Sequence, residues 1–293
     1  MASGWDRPLD LTRSTADPVN EASGLRVCID ARLEPGSPGG LETVVIGLAR
    51  GLSRLTDGDE EYCFLVNPVH EEWLSQYLGA NSRVLRYPSS LAERVLRLAR
   101  RSPRVRESLV RLGKRFVPSQ AGRFRIAESR GVIEAAGVHV VHFTTQGAFR
   151  TGIPSIYHPH DLQHRHLPEF FTRREYDARE EAFREYCSQA SAVAVVSRWT
   201  RDDVIEAYGM EPEKVHVIPF APGLEKDEPG LPDPEAVRRR LALPKDFVLY
   251  PAQTWPHKNH LALVEAIPKL RSPVGASCSL VFTGRVTTHA EVI

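Results

Sequence analysis

Cysteine is scarce in this sequence: four residues in 293, at Cys28, Cys63, Cys187 and Cys278, with no C-x-x-C pair. Three of them lie inside apolar, strand-like runs, where a free thiol acts as a small buried hydrophobe. That pattern argues against a disulfide framework and for a reducing, cytoplasmic setting. Long apolar runs are missing too. The apolar runs, such as residues 192–196 and 247–250, are strand-sized, far below the ~20 residues that cross a bilayer. Residues 1–24 are polar and lack the apolar centre of a secretory signal, so they read as a disordered leader.

What is present is ordinary in bulk, 42% hydrophobic and 26% charged, as in a soluble globular protein. A chain of 293 residues can bury a substantial core, and two domains are expected. The formal net charge of +1 hides an asymmetry. Residues 81–130 hold fourteen Lys or Arg against three acids, a local +11, so the remainder carries −10. Within that stretch, apolar residues at helical spacing predict two short amphipathic helices between 91 and 116, separated by Pro103. Their polar faces, with Arg94, Arg97 and Arg101, suit an anionic membrane surface. A solvated basic face, or one that meets an acidic surface elsewhere, is the alternative. No nucleic-acid-binding module accompanies the charge, so nucleic acid is not an expected partner.

Strands and helices alternate along the chain, which predicts α/β architecture with a mostly parallel sheet covered on both faces. The run LRVCID (25–30) reads as a first buried strand. A loop rich in Gly and Pro follows, then a helix with Leu41, Val44, Val45, Leu48 and Leu52 on one stripe. Strand, glycine-rich loop and helix start together can hold a phosphate through free backbone amides. However, GGLE (39–42) is neither G-x-G-x-x-G nor a P-loop, and a flexible connection is equally consistent. Further strands are predicted at 62–66, 83–87, 138–143, 154–158, 192–196 and 214–219. Helices are predicted at 70–78, 124–136, 173–189 and 197–208, the last capped by Ser197. Residues 220–234 are rich in Pro, Gly and acids and mark a domain boundary. Beyond them come a helix (234–241), a strand (247–251), a helix (259–270) and a strand (279–283).

Residues 155–171, SIYHPHDLQHRHLPEFF, gather His158, His160, His164, His166 and Asp161 just past a predicted strand. α/β folds place ligand sites there. The pattern H-P-H-D-x-x-H is similar to the H-x-H-x-D-H of zinc hydrolases, with the Asp and the last His each displaced by one position. The remaining reading is a His-rich loop making ordinary hydrogen bonds.

Three stretches together resemble one family. GGLE at 39–42, HDLQHRHLPEFF at 160–171 and YPAQTWPHKNH at 250–260 are similar to GT-B glycosyltransferases of the group that includes bacterial mannosyl- and rhamnosyltransferases. The resemblance runs from about residue 25 to 284 and includes VIPFAPG (217–223) as the crossing into a second domain. It implies two Rossmann-like domains facing a cleft. Residues 25–219 would form the acceptor side, 220–234 the linker and 235–293 part of a nucleotide-sugar-binding domain. Gly39 and Gly40 would bring backbone amides near donor phosphates or acceptor, His160 would face the transferred sugar, and Lys258 would pair with the diphosphate. Asp161 and Asn259 flank these as site neighbours. The family commonly transfers with retention and uses no bound Mg²⁺, so neither metal nor cofactor is implied beyond the nucleotide sugar itself. The acceptor would be a glycan or lipid-linked, and the chain would work in the cytoplasm, at the inner face of the membrane where the basic stretch engages it.

The match has two departures. Gln253, Thr254 and Trp255 stand where many members carry an arginine, and the family's second domain normally continues further, through an acidic motif that contacts the donor. The second domain is therefore expected to be incomplete, with sheet edge and apolar helix faces uncovered. An inactive truncated remnant, or a binding module of the same fold, is the non-enzymatic reading. Lys258 also admits a bland role as a solvated lysine opening a helix. A cation there opposes the macrodipole unless an anion is bound, which favours function. Trp255, Phe170 and Phe171 are expected to pack rather than to stack on sugars.

Overall fold

A computed structural model describes residues 24–36, 40–70, 72–88, 126–221, 232–269 and 279–293. The expected leader, Gly39, the stretch expected to form two basic helices with Arg94, Arg97 and Arg101, and most of the expected linker fall outside the described residues.

The first unit is a seven-stranded, wholly parallel sheet. Its strands are β1 (Arg26–Asp30), β2 (Glu61–Val66), β3 (Ser82–Arg86), β4 (Val140–Phe143), β5 (Ser155–Tyr157), β6 (Ala192–Val195) and β7 (Val215–Val217), in the order β3-β2-β1-β4-β5-β6-β7. The sheet grows one way from β1 and the other way from β4, so the switch point lies between these neighbours. There Asp30 pairs with Phe143 in register. Doubly wound folds bind ligands at the carboxyl ends of strands on either side of such a point.

Both faces of the sheet are covered, which is why β2 reads as the unbroken run YCFLV rather than an alternating strand. Consecutive residues go to opposite cores. Cys28 and Leu65 join Val141, Phe143, Phe149, Tyr157 and Phe183 on one side. Ile29 and Phe64 join Val45, Ala49 and Leu74 on the other. Helix α1 (Leu41–Ser53) buries Val45 and Ala49, one turn apart, so its buried line is centred one residue past Val44.

Two expected helices are curtailed. Of the expected helix over 124–136, the described residues from 126 onward form only α2 (Val132–Ala135). Arg130 and Gly131 are both left-handed, with φ of 58° and 74°, and Glu128 bridges Arg150, so no helix passes through them. Where a helix was expected over 70–78, residues 72–74 make turns and Ser75–Tyr77 a 3₁₀ segment beside the buried Leu74.

After β5 come α3 (Gln163–His166) and α4 (Arg173–Gln189). The latter starts with a complete capping box: the Thr172 hydroxyl accepts from Glu175 N–H, and the Glu175 carboxylate accepts from Thr172 N–H. Helix α5 (Arg198–Tyr208) is capped by Ser197 as expected, and Gly209 ends it in the left-handed region at φ 65°.

The second unit holds α6 (Pro234–Arg240), β8 (Phe247–Pro251), α7 (His260–Ala266) and β9 (Ser279–Thr283), with β8 and β9 paired in parallel. Helix α7 is shorter than the expected 259–270 and tightens into a 3₁₀ turn, Ile267–Lys269. Pro268 has no N–H to donate to the preceding turn. Val248 and Leu249 on β8 are 40% and 51% exposed.

Candidate functional site

The expected histidine nest resolves into separate arrangements. His164 is fully buried among Phe171, Tyr176 and Phe183, and its Nε2 lies 2.8 Å from Glu180. His166 bonds Asp203 at 2.8 Å and packs on Trp199. These two were expected to make ordinary hydrogen bonds, and they do. His158 differs: its buried Nε2 has no partner among the described residues, and its ring stacks instead. Because the histidines disperse to different partners, the zinc-hydrolase pattern has no geometric counterpart here. Among the described residues no three metal-ligating side chains converge.

His142, His158 and His160 form a column at the carboxyl ends of β4 and β5. His158 is nearly parallel to His142 (6.1 Å, 11°) and to His160 (4.5 Å, 8°). Phe220, at the start of the crossing segment, packs on His158 and His160 at 5.0 and 5.3 Å. Burial, reinforced by the neighbouring imidazoles, pushes His142 down to about 4 and His158 down to about 3. Burial also lowers His160, opposed by its bond to the Thr144 carbonyl and by Asp161. The column is therefore neutral at pH 7. His160 sits in the left-handed region at φ 67°, rare for a residue with a side chain and a mark of functional sites. Asp161 beside it accepts from Gln163 N–H and from Gln146 Nε2.

A cleft of about 620 Å³ joins the two units, within the size range of small-molecule sites. Its walls are Gly40 from the first unit and Tyr250, Pro251, Ala252, Gln253, Lys258, Thr283, Gly284 and Arg285 from the second. Gly40 and Lys258, far apart in sequence, thus meet at one cavity, whereas His160 is not among its walls. Gly40 is the N-cap of the 13-residue α1 and makes no side-chain cap bond. Glu42 in the first turn instead accepts from Gly36 N–H at 2.9 Å.

Lys258 does not open α7. It closes a 3₁₀ turn, Pro256–Lys258, and Asn259, left-handed at φ 50°, stands between it and the helix. Lys258 precedes the helix by two residues, so the opposition of a helix-opening cation to the macrodipole does not apply to it. Asn259 serves this turn through its backbone: its N–H donates to Pro256 C=O and its C=O accepts from Ala262 N–H. The Tyr250 hydroxyl donates to Lys258 C=O at 2.8 Å, pinning the turn to β8. Thr254 and Thr287 bond reciprocally and tie the loops after β8 and β9 together.

Aromatic residues expected to pack divide. Phe171 does pack, under Arg179 and against His164. Phe170 and Trp255 are instead 42% and 46% exposed. The Phe170 ring lies 6.0 Å from His257, and the Trp255 indole N–H donates to Gln253. Burial and Lys258 lower His257, and Asp161 opposes them, which links the histidine loop electrostatically to the Lys258 turn.

Several residues escaped sequence reasoning. Arg32 donates to both carboxylate oxygens of the buried Asp30 at 2.8 Å and lies over the rings of Tyr87 and Phe149. The signal was a D-x-R at the end of a buried strand. Gly284 and Arg285 line the cleft after β9. A D-x-D sequence, Asp57–Gly58–Asp59, is also present in the chain. It lies between α1 and β2, at the amino ends of the strands and away from the cleft.

A doubly wound parallel sheet and a smaller parallel α/β unit, with Gly40, Lys258 and Arg285 around one cavity between them, define the class of fold. The chain belongs to Glycosyltransferase Family 4, whose profile matches residues 38–221, well over half of it. Among solved structures it is similar to HepE of Anabaena, crystallised with UDP and glucose. That likeness has a TM-score of 0.50 at 16% identity and covers 92% of this chain and 63% of HepE. A glycosyltransferase from Rickettsia africae scores 0.47 at 14% identity, covering 88% of this chain and 68% of that one. MnaA of S. aureus, solved with UDP, scores 0.46 at 12% identity, covering 92% and 63%. The chain thus spans 63% of the length of HepE. At such identity the HepE likeness concerns the fold, which is of the GT-B type. No curated protein sequence matches the chain. Among the described residues no helix is long and apolar enough to cross a membrane.

Proposed function

We propose that this chain binds a nucleoside-diphosphate sugar in the cleft between its two units and transfers the hexose, mannose- or rhamnose-like, to a glycan or lipid-linked acceptor, with retention and without a metal. Residues 25–219 form the acceptor side, 220–234 the linker and 235–293 the donor side. The observation that carries the reading is the meeting of Gly40 with Lys258 and Arg285 around one cavity. A departing nucleoside diphosphate develops negative charge. Two cations and the open amides of α1's first turn are placed to stabilise it. HepE, of like fold, was crystallised with UDP and glucose, which supports a nucleotide sugar as the ligand. Gly39 joins Gly40 at the phosphates, His160 faces the transferred sugar, and Asp161 and Asn259 hold the turns beside them. The basic stretch with Arg94, Arg97 and Arg101 holds the protein at an anionic lipid surface on the cytoplasmic side.

Calorimetric titration with UDP, GDP and their hexose conjugates tests this. A charge-assisted contact is worth about 1.5–3 kcal/mol, so Lys258→Ala should weaken binding roughly 10- to 100-fold. No binding by the wild-type chain, or binding indifferent to Lys258→Ala, refutes the assignment. Binding without turnover in the presence of candidate acceptors would assign the chain the role of a binding module.

A further inference from the structure

A continuous set of hydrogen bonds leads from the end of β1 to His160. Arg32 holds both oxygens of Asp30, at 2.8 Å each. The Thr144 hydroxyl donates to the Asp30 carbonyl at 2.5 Å, and the Thr144 carbonyl lies 2.8 Å from Nε2 of His160. Asp30 and Thr144 are 2% and 1% exposed, so water has no access to replace these bonds. A carbonyl oxygen only accepts, so Nε2 of His160 must carry the hydrogen. In a neutral imidazole the other nitrogen, Nδ1, then presents a lone pair. Among the described residues the His160 ring is hydrogen-bonded through Nε2. The stack of His158 and Phe220 on the ring and the left-handed backbone at φ 67° restrict its rotation further.

We propose that Thr144, anchored through the Asp30–Arg32 pair, is a positioning residue that locks His160 in its Nε2–H form, so that His160 meets the substrate through Nδ1 as a hydrogen-bond acceptor. That nitrogen takes a hydrogen-bond donor, the hydroxyl of a sugar, and disfavours phosphate or carboxylate, which offer only lone pairs. His160 is thereby a reader of the sugar and not a proton donor in the reaction. The naming of a sugar rests on the glycosyltransferase reading; the tautomer and its support do not.

The test is long-range ¹H–¹⁵N correlation of the full chain labelled at histidine, with the His160 ring assigned by its loss in His160→Gln. A pure Nε2–H pattern for His160 is expected at pH 7. Thr144→Val should turn it into a mixture of tautomers, and Thr144→Ser should restore it, which a merely structural effect at this position would not do. On saturation with UDP-hexose the Nδ1 resonance should move as it gains a donor, whereas UDP alone should leave it in place. An Nδ1–H pattern in the wild type, an unchanged tautomer in a folded Thr144→Val, or an equal Nδ1 shift with UDP overturns the proposal. Failure of every nucleotide sugar to bind, with the tautomer pattern and its Thr144 dependence intact, overturns the sugar assignment and leaves the positioning role standing.

Discussion

Acidification should weaken this fold well before its carboxylates protonate, because of His158. The ring is 4% exposed, its Nε2 has no partner among the described residues, and its pKa is pushed down to about 3 from an ordinary value of 6.5. As pH falls below 6.5 the unfolded chain binds a proton that the folded chain refuses, so stability declines with falling pH until the folded value is reached. Each pH unit in that window costs about 1.4 kcal/mol per such group, so moving from pH 7.5 to 5.0 costs ~2 kcal/mol through His158 alone. His142, pushed down to about 4 but less fully enclosed, adds a smaller amount of the same sign. The hydrogen-bonded carboxylates of Glu61, Glu134 and Glu175 are held below their ordinary range, so their contributions persist through this window. Urea unfolding at the two pH values measures the loss. His158→Phe keeps an aromatic ring against His160 and Phe220 and breaks no Nε2 hydrogen bond, and it should reduce the loss by ~2 kcal/mol. Equal stability of the wild type at pH 7.5 and 5.0, or an undiminished loss in His158→Phe, would refute the reasoning.

Gly284 has φ 141°, and a Cβ there would stand 2.6 Å from the Ala252 carbonyl oxygen. Gly284→Ala should therefore cost about 1–3 kcal/mol in thermal or urea unfolding, while Gly40→Ala, whose Cβ meets nothing within 4 Å, should be tolerated; comparable melting of the two variants would contradict this. Burial raises the thiol pKa of Cys28, Cys63 and Cys187, the last up to about 12. Iodoacetamide at pH 8 should leave all three unmodified in the native chain and label them in urea, as peptide mass analysis would show; rapid native labelling of Cys28 or Cys187 would show that their strand and helix are not closed as described.

Much of the first unit was legible in the sequence because its causes are local. Unbroken apolar runs such as YCFLV announced strands covered on both faces, and Thr172 with Glu175 and Ser197 before α5 marked where helices begin. Helix length was less legible. Apolar spacing continued through 124–131, yet the left-handed Arg130 and Gly131 stop the helix, and Pro268 tightens the end of α7. The identity of the site residues came partly from short motifs, but their relations did not. Whether four neighbouring histidines share one ligand depends on where each ring points, and side-chain direction is set by partners distant in sequence: Thr144 for His160, Glu180 for His164 and Asp203 for His166. By itself the sequence determined an α/β chain with a glycine-bearing turn before α1 and a lysine after β8. The family resemblance implied that Gly40 and Lys258 share one cleft, and the tertiary structure alone decided that Arg32, Asp30 and Thr144 stand behind His160. Strand order and parallel register, which no local pattern encodes, bring the ends of β1, β4 and β5 together.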